Sequence, residues 1–196
     1  MQQMSMAGIY LVQSVVSFYT LIVFLRFLLQ LSRADFYNPV SQFVVKATAP
    51  VLNPLRRIIP GWGGLDIASL VLILVLQVSQ LIAIILMMGY ALPNIGLLIA
   101  WSAVGLFGLV LNFYFWAIMI QVILSWVAPM SHNPAVSLIF QVTEPVMGYA
   151  RKLIPPMGGM DFSPIIVFMV IQLLKILVLG SLIQALGVPQ QLILGL

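Results

Sequence analysis

NPVSQFVVKATAPVLNPLRRIIPGWGGLD, residues 38–66, and NPAVSLIFQVTEPVMGYARKLIPPMGGMD, residues 133–161, lie over one another without a gap. Asn38 and Asn133, Pro39 and Pro134, Thr48 and Thr143, Arg56 and Arg151, and Asp66 and Asp161 all stand 95 positions apart, so the chain carries an internal repeat. The shared elements are Asn-Pro, Thr-x-Pro (Thr143-Glu144-Pro145 in the second copy), a basic pair (Arg56-Arg57 and Arg151-Lys152), Ile-Pro, and Gly-Gly-x-Asp (Gly158-Gly159-Met160-Asp161 in the second copy). Residues of these types bend, cap and charge a backbone, and few of them break bonds.

Around these stretches the chain is strongly apolar. Of its 196 residues, 63% are hydrophobic and 6% charged, with a mean hydropathy of +1.18, whereas a soluble domain carries roughly 25% charged residues. Four runs are long enough to cross a bilayer as helices, and none alternates as a barrel strand would. The predicted fold class is an all-α membrane protein, with four transmembrane helices arranged as two parallel repeats of span, amphipathic segment and span. Repeat one covers residues 1–94, with a span at about 7–31, an interfacial segment at 38–64 and a span at about 66–90. Repeat two covers 95–196, with a span at about 96–127, an interfacial segment at 133–159 and a span at about 162–187. The apolar run near the N-terminus has no Lys or Arg before it and is long enough to stay as a span rather than serve as a cleaved signal.

Asn38 and Asn133 suit an N-cap, and Pro39 and Pro134 suit the first helical position, where the missing N–H would be unpaired anyway. Val40, Phe43, Val44 and Ala47 then recur as one helical face, and Ala135, Leu138, Ile139 and Val142 repeat it. This pattern predicts a short amphipathic helix along the membrane surface. Thr48-Ala49-Pro50 reads as a break that opens a second, basic helix, followed by a glycine turn at 60–64. Asp66 stands where a carboxylate complements the positive end of span two, and Ser163-Pro164 reads as the cap of span four. The third span is longer than a bilayer needs, so it must tilt, project or begin irregularly near Gly105 and Gly108.

Two spans per repeat return the chain to its starting side, so both motif segments lie on one face. Arg33, Lys46, Arg56, Arg57, Arg151 and Lys152 belong to that face, while the N-terminal stretch, the connection at 89–96 and the C-terminal stretch have no Lys or Arg. The positive-inside rule makes the motif face cytoplasmic and the termini periplasmic.

From Ile123-Leu124-Ser125-Trp126 through Asn133-Pro134, Thr143-Glu144-Pro145 and Arg151-Lys152 to Gly158-Gly159-x-Asp161-x-Ser163-Pro164, the sequence resembles the YggT (YlmG) family of bacterial and plastid membrane proteins, in its double-length form. The first copy departs from the pattern: Gln30-Leu31 replaces Ser-Trp, Ala49 replaces the motif Glu, and Ala68-Ser69 replaces Ser-Pro. The resemblance implies a multi-pass bacterial inner-membrane protein without an established activity. It also implies associations with cell division, osmotic stress and, in plastids, cytochrome b6f assembly and nucleoid distribution.

Catalysis and cofactors find little footing. The chain has no cysteine, and its one histidine, His132, cannot build a multi-histidine metal site. Asp66 and Asp161 could form a paired-carboxylate site, or each could cap its own span and pair with its own basic residues. The expected partners are anionic lipid headgroups at the basic pairs, membrane proteins, and a second copy of the chain; the basic residues are too sparse for nucleic acid. Arg26, Gln77, Gln80, Gln172 and Lys175 lie within the spans, with Gln80 matching Lys175, Gln77 matching Gln172, and Gln121 matching Arg26. They could form a polar seam for a solute, or hydrogen-bond between helices while Lys175 snorkels. Two functions follow: a non-enzymatic scaffold or assembly factor, or a small channel or transporter. Because the chain is cysteine-free, Ser5→Cys gives a clean label, and an impermeant maleimide is expected to reach it only from the periplasmic side.

Overall fold

The computed structural model describes residues 2–128, 131, 133–154 and 161–193. Gly158 and Gly159 of the second motif, together with Pro155, Pro156 and His132, lie outside the described residues. The described chain is helical, with one isolated bridge between Trp62 and Leu65. Its helices are α1 (Gln2–Leu31), α2 (Pro39–Ile58), α3 (Ile67–Met87), α4 (Ile95–Val127), α5 (Pro134–Leu153), α6 (Ser163–Leu173) and α7 (Gly180–Leu186). A π-helical turn, Leu174–Leu179, joins α6 to α7, and together they form one run, Ser163–Leu186. Among the described residues four helices are long and apolar enough to cross a membrane: Met6–Leu31 within α1, α3, α4, and Ser163–Leu186.

The amphipathic helices α2 and α5 connect the spans, and both start as their sequences predict. Asn38 Oδ1 accepts from the Val40 amide at 2.9 Å, and Asn133 Oδ1 accepts from the Ala135 amide at 2.9 Å. Each helix is longer than predicted. Thr48-Ala49-Pro50 does not break α2, which runs through Pro50 and Pro54, and α5 likewise contains Pro145. Pro50 and Pro54 are exposed, so the carbonyls that they leave without an intrahelical donor lie on the side open to water and headgroups. Thr48 and Thr143 are instead buried, their hydroxyls turned back onto the carbonyls of Val44 and Ile139 at 2.8 Å.

Of two further expectations, the structure narrows one and overturns the other. The third span is one uninterrupted helix of 33 residues, with Gly105 and Gly108 buried inside it rather than marking an irregular start. At about 1.5 Å per residue it is roughly 50 Å long, so it overshoots a hydrocarbon core of about 30 Å. Ser163 and Pro164 occupy the first helical turn of α6 instead of capping it, and Asp161 Oδ1 accepts from the Ser163 amide at 2.9 Å.

The core lies where α1 packs antiparallel to α3 and α3 turns back along α4. Val23, Phe24, Leu28, Ile73, Leu81 and Ile118 are fully buried there. Phe24 meets Phe113 of α4 edge to face, at 5.4 Å between ring centroids. The outer runs are barer: in its most apolar window the run Ser163–Leu186 is 17% buried, against 39% for α3 and for α4.

The two amphipathic helices touch. Asn38 Nδ2 donates to the Pro134 carbonyl at 2.7 Å, and the Asp35 amide donates to Gln141 Oε1 at 2.8 Å. Asn38 therefore caps its own helix and fastens it to the other repeat, whereas Asn133 is exposed. Replacing either Asn by Ala removes a cap worth about 1 kcal/mol. Asn38→Ala also removes the hydrogen bond to the Pro134 carbonyl that joins the repeats and is expected to cost about 1 kcal/mol more than Asn133→Ala in unfolding from detergent.

Candidate functional site

Each repeat builds the same device from the end of its amphipathic helix and the start of its second span. In repeat one, Arg56 and Asp66 are ion-paired, and the Arg56 Nη2 also donates to Gln30 Oε1 at 3.1 Å. The Ser69 hydroxyl donates to the same carboxylate, which caps α3 by accepting from the Ser69 amide. In repeat two, Arg151 Nε donates to Asp161 Oδ2 at 3.1 Å, and Arg151 Nη1 donates to both oxygens of Glu144 at 3.0 and 2.7 Å. Ser163 supplies the hydroxyl to Asp161, at 2.5 Å.

The two copies reach this arrangement from different residues. Where Ala49 replaces the motif Glu, Gln30 provides the second acceptor for the arginine. The serine hydroxyl also slips by one position, from three residues after Asp66 to two after Asp161. The spacing of ten between Arg and Asp was visible in the sequence; the replacement of Glu by Gln30 from another element was not. The environments differ as well. The side chain of Asp66 is 3% exposed and that of Asp161 33% exposed, so the first carboxylate is buried and the second faces outward, whereas the two arginines are equally half-buried.

Burial alone would push both carboxyls upward. For Asp66 the Arg56 guanidinium and the Ser69 hydroxyl and amide more than offset this, and for Asp161 the Ser163 hydroxyl and amide and then Arg151 do so. Both acids are held below the ordinary carboxylate range. The two do not form a dyad, because each is committed to the arginine of its own repeat. Arg57 is exposed, and Lys152 lies over the ring of Tyr149 at 5.3 Å rather than on Asp161. Among the described residues no group of His, Asp or Glu side chains could hold a metal ion.

A cavity of about 460 Å³ opens beside the second device. Arg151, Asp161, Gln121 and Ser125 supply its polar groups, and Trp126, Phe162 and Phe168 are among its apolar walls. Gln121 Oε1 accepts from the Thr143 hydroxyl at 2.5 Å, so the Thr-x-Pro element ties α5 to the third span. Arg26, the counterpart of Gln121, lies 5.6 Å from the Phe36 ring centroid, with Nη1 buried and unpartnered among the described residues.

The other polar residues of the spans do not converge on one seam. Gln80 is buried on the α1 side, accepting from the Ser17 hydroxyl at 3.4 Å and donating to the Leu192 carbonyl at 3.5 Å. Gln77 is buried with neither amide atom partnered among the described residues, as are the hydroxyls of Thr20 and Ser102. Gln172 is exposed on the outside of span four. Lys175 does not snorkel: its Nζ donates to Asn112 Oδ1 of α4 and lies 5.2 Å from the Phe115 ring centroid. Asn112, the partner of Lys175, was not singled out by sequence, since its counterpart in the first repeat is Ser17 and shows no matching amide.

These features define a helical membrane protein made of two parallel repeats, each joining an amphipathic helix to its following span through an arginine–aspartate pair. The chain belongs to the CCB3/YggT family, whose model matches twice, at residues 5–87 and 100–182. It is 51% identical over 187 residues to an uncharacterized protein of Pseudomonas aeruginosa, covering 95% of each chain. It is 36% identical over 181 residues to the uncharacterized protein YggT of Escherichia coli, covering 91% of this chain and 92% of that one. Over 80 residues it is 30% identical to the chloroplastic protein CCB3 of Arabidopsis thaliana, whose name denotes cofactor assembly of complex C, covering 40% of this chain and 45% of that one. No solved structure matches the chain.

The contrast in burial gives a mutational order. Arg56→Met strands a buried carboxylate and is expected to destabilise the protein by about 3 kcal/mol. Arg151→Met, between more exposed groups, should cost about 1 kcal/mol or less, and Arg57→Met should stay within about 0.5 kcal/mol. Because both aspartates have depressed native pKa values, their stabilisation is present above the unfolded carboxylate pKa, near 4, and is lost as pH falls through the lower native values. Detergent unfolding between about pH 6 and pH 3 should show this loss, and Asp66→Asn should flatten much of it.

Proposed function

We propose that the protein is a non-enzymatic scaffold or assembly factor of the bacterial inner membrane, acting through its paired amphipathic helices on the cytoplasmic face. One observation carries this proposal: α2 and α5 are joined across the repeats by the Asn38–Pro134 and Asp35–Gln141 hydrogen bonds, which makes two motif copies into one surface. A single unit would need only its own cap and ion pair; a shared surface is what a docking partner requires. Arg33, Lys46, Arg57 and Lys152 are exposed on this surface without an ion pair among the described residues. Each is worth about 1 kcal/mol of attraction near anionic headgroups.

Partner recognition falls to the second copy. Its ion pairs are exposed, and Arg151 and Asp161 line the cavity beside Trp126 and Phe162. The first copy, with Asp66 buried, serves the architecture. The plastid relative's name, which denotes cofactor assembly of another complex, supports this class of function. Defects in division or osmotic tolerance would then be secondary to failed assembly.

Transport is the second interpretation, favoured by the unpartnered Gln77, Thr20 and Ser102 inside the bundle. Purification from native membranes in mild detergent separates the two. Wild-type protein is expected to retain specific membrane partners, and Arg151→Gln with Asp161→Asn to lose them several-fold while remaining folded. Absence of any partner, with a steady ion or solute flux in vesicles that Gln77→Leu abolishes, would replace the scaffold by a channel.

A further inference from the structure

Span four presents a charge that the chain does not neutralise. Lys175 lies 12 residues past Ser163 and 11 before Leu186, roughly 18 Å and 16 Å from the two ends at about 1.5 Å per residue, and so near the bilayer midplane. A lysine there is expensive unless it is paired or hydrated. The chain has four acidic side chains, Asp35, Asp66, Glu144 and Asp161, and all lie outside the spans. Asp66 is taken by Arg56, Glu144 and Asp161 by Arg151, and Asp35 accepts from the Tyr37 amide. None is placed to answer Lys175.

What holds Lys175 is neutral. Asn112 offers one amide oxygen and Phe115 one ring face, whereas an ammonium has three N–H groups and a full charge. These contacts keep the side chain against α4 at mid-depth instead of letting it reach headgroups. One turn earlier on the same helix, Gln172 is exposed, and among the described residues no hydrogen bond is made to it. Ile176 is exposed next to Lys175, and Val178 and Leu182, three and seven residues after it, are exposed along the same side of the most thinly covered of the four runs. An amide and a half-buried ammonium set in a bare aliphatic face suit an apolar helix that brings one acidic residue.

We infer that this face docks a transmembrane helix of a partner protein through an aspartate or glutamate that the partner carries at mid-bilayer. Lys175 supplies the charge, Gln172 a supporting N–H donor, and Ile176, Val178 and Leu182 the packing. The inference rests on the scaffold function and names the chemistry of its membrane partner. A carboxylate is favoured over a second copy of this chain, which would bring another lysine and no acid to the contact.

The test uses the full chain in phosphatidylcholine vesicles, labelled at Tyr90→Cys, and designed Leu-rich helical peptides of about 20 residues bearing Asp, Asn or Leu at the centre. Energy transfer is expected to show the Asp peptide binding about tenfold more tightly than the Leu peptide, with Asn between them. Lys175→Met should erase that preference, Lys175→Arg should keep it, and Gln172→Leu should weaken it. Equal binding of the Asp and Leu peptides, or a preference that survives Lys175→Met, overturns the inference. So does Lys175-dependent self-association without peptide, which gives the face to a second copy, or displacement of the Asp peptide by phosphatidylglycerol, which gives it to a lipid. A negative result here, with partner recovery still sensitive to Arg151, would leave the scaffold function standing.

Discussion

A carboxylate stands where the chain leaves each amphipathic helix and enters its second span, and the architecture turns on how that charge is held. A helix entering lipid must satisfy its first amides before it loses water. Asp66 and Asp161 do so while accepting a serine hydroxyl and an arginine from the preceding amphipathic helix. The arginine fixes the angle between surface helix and span, because it is anchored on one and bound at the root of the other. Stability, orientation and surface charge are thereby linked at a single point in each repeat.

Duplication of that point leaves room for division of labour. The first carboxylate is buried, with Gln30 completing the arginine's partners, while the second is partly exposed and borders a cavity. The departures of the first copy from the family pattern are thus partly repaired: Gln30 stands in for the absent Glu, and Ser69 for the serine one position earlier in the other copy. The joint between Asn38 and Pro134 then makes the two devices parts of one face.

Much of this was legible in the sequence because local chemistry dictated it. Asn-Pro marked both helix starts, and the interval between Arg and Asp foretold the ion pairs. The apolar runs foretold, among the described residues, four helices long and apolar enough to cross a membrane. What escaped was either tertiary or tolerant of its surroundings. Pro50 and Pro145 look like breaks, yet at an interface a proline's freed carbonyl can be hydrated, so α2 and α5 continue through them. The lysine's partner could not be foreseen, because Asn112 meets Lys175 only through the packing of α4 on span four. The proposed seam of Gln77, Gln80, Gln172 and Lys175 failed for a related reason: equal depth in two repeats does not place side chains on a common axis.

The central claim is that the two motif units lie side by side on one membrane face and act as a single surface. Spin labels at Gln42→Cys and Ser137→Cys, one on each amphipathic helix, test it directly by electron–electron distance measurement in lipid vesicles. The structure predicts one narrow distribution, well below the roughly 30 Å hydrocarbon thickness. A separation at or above that thickness, or a broad distribution showing that α2 and α5 move independently, would contradict it.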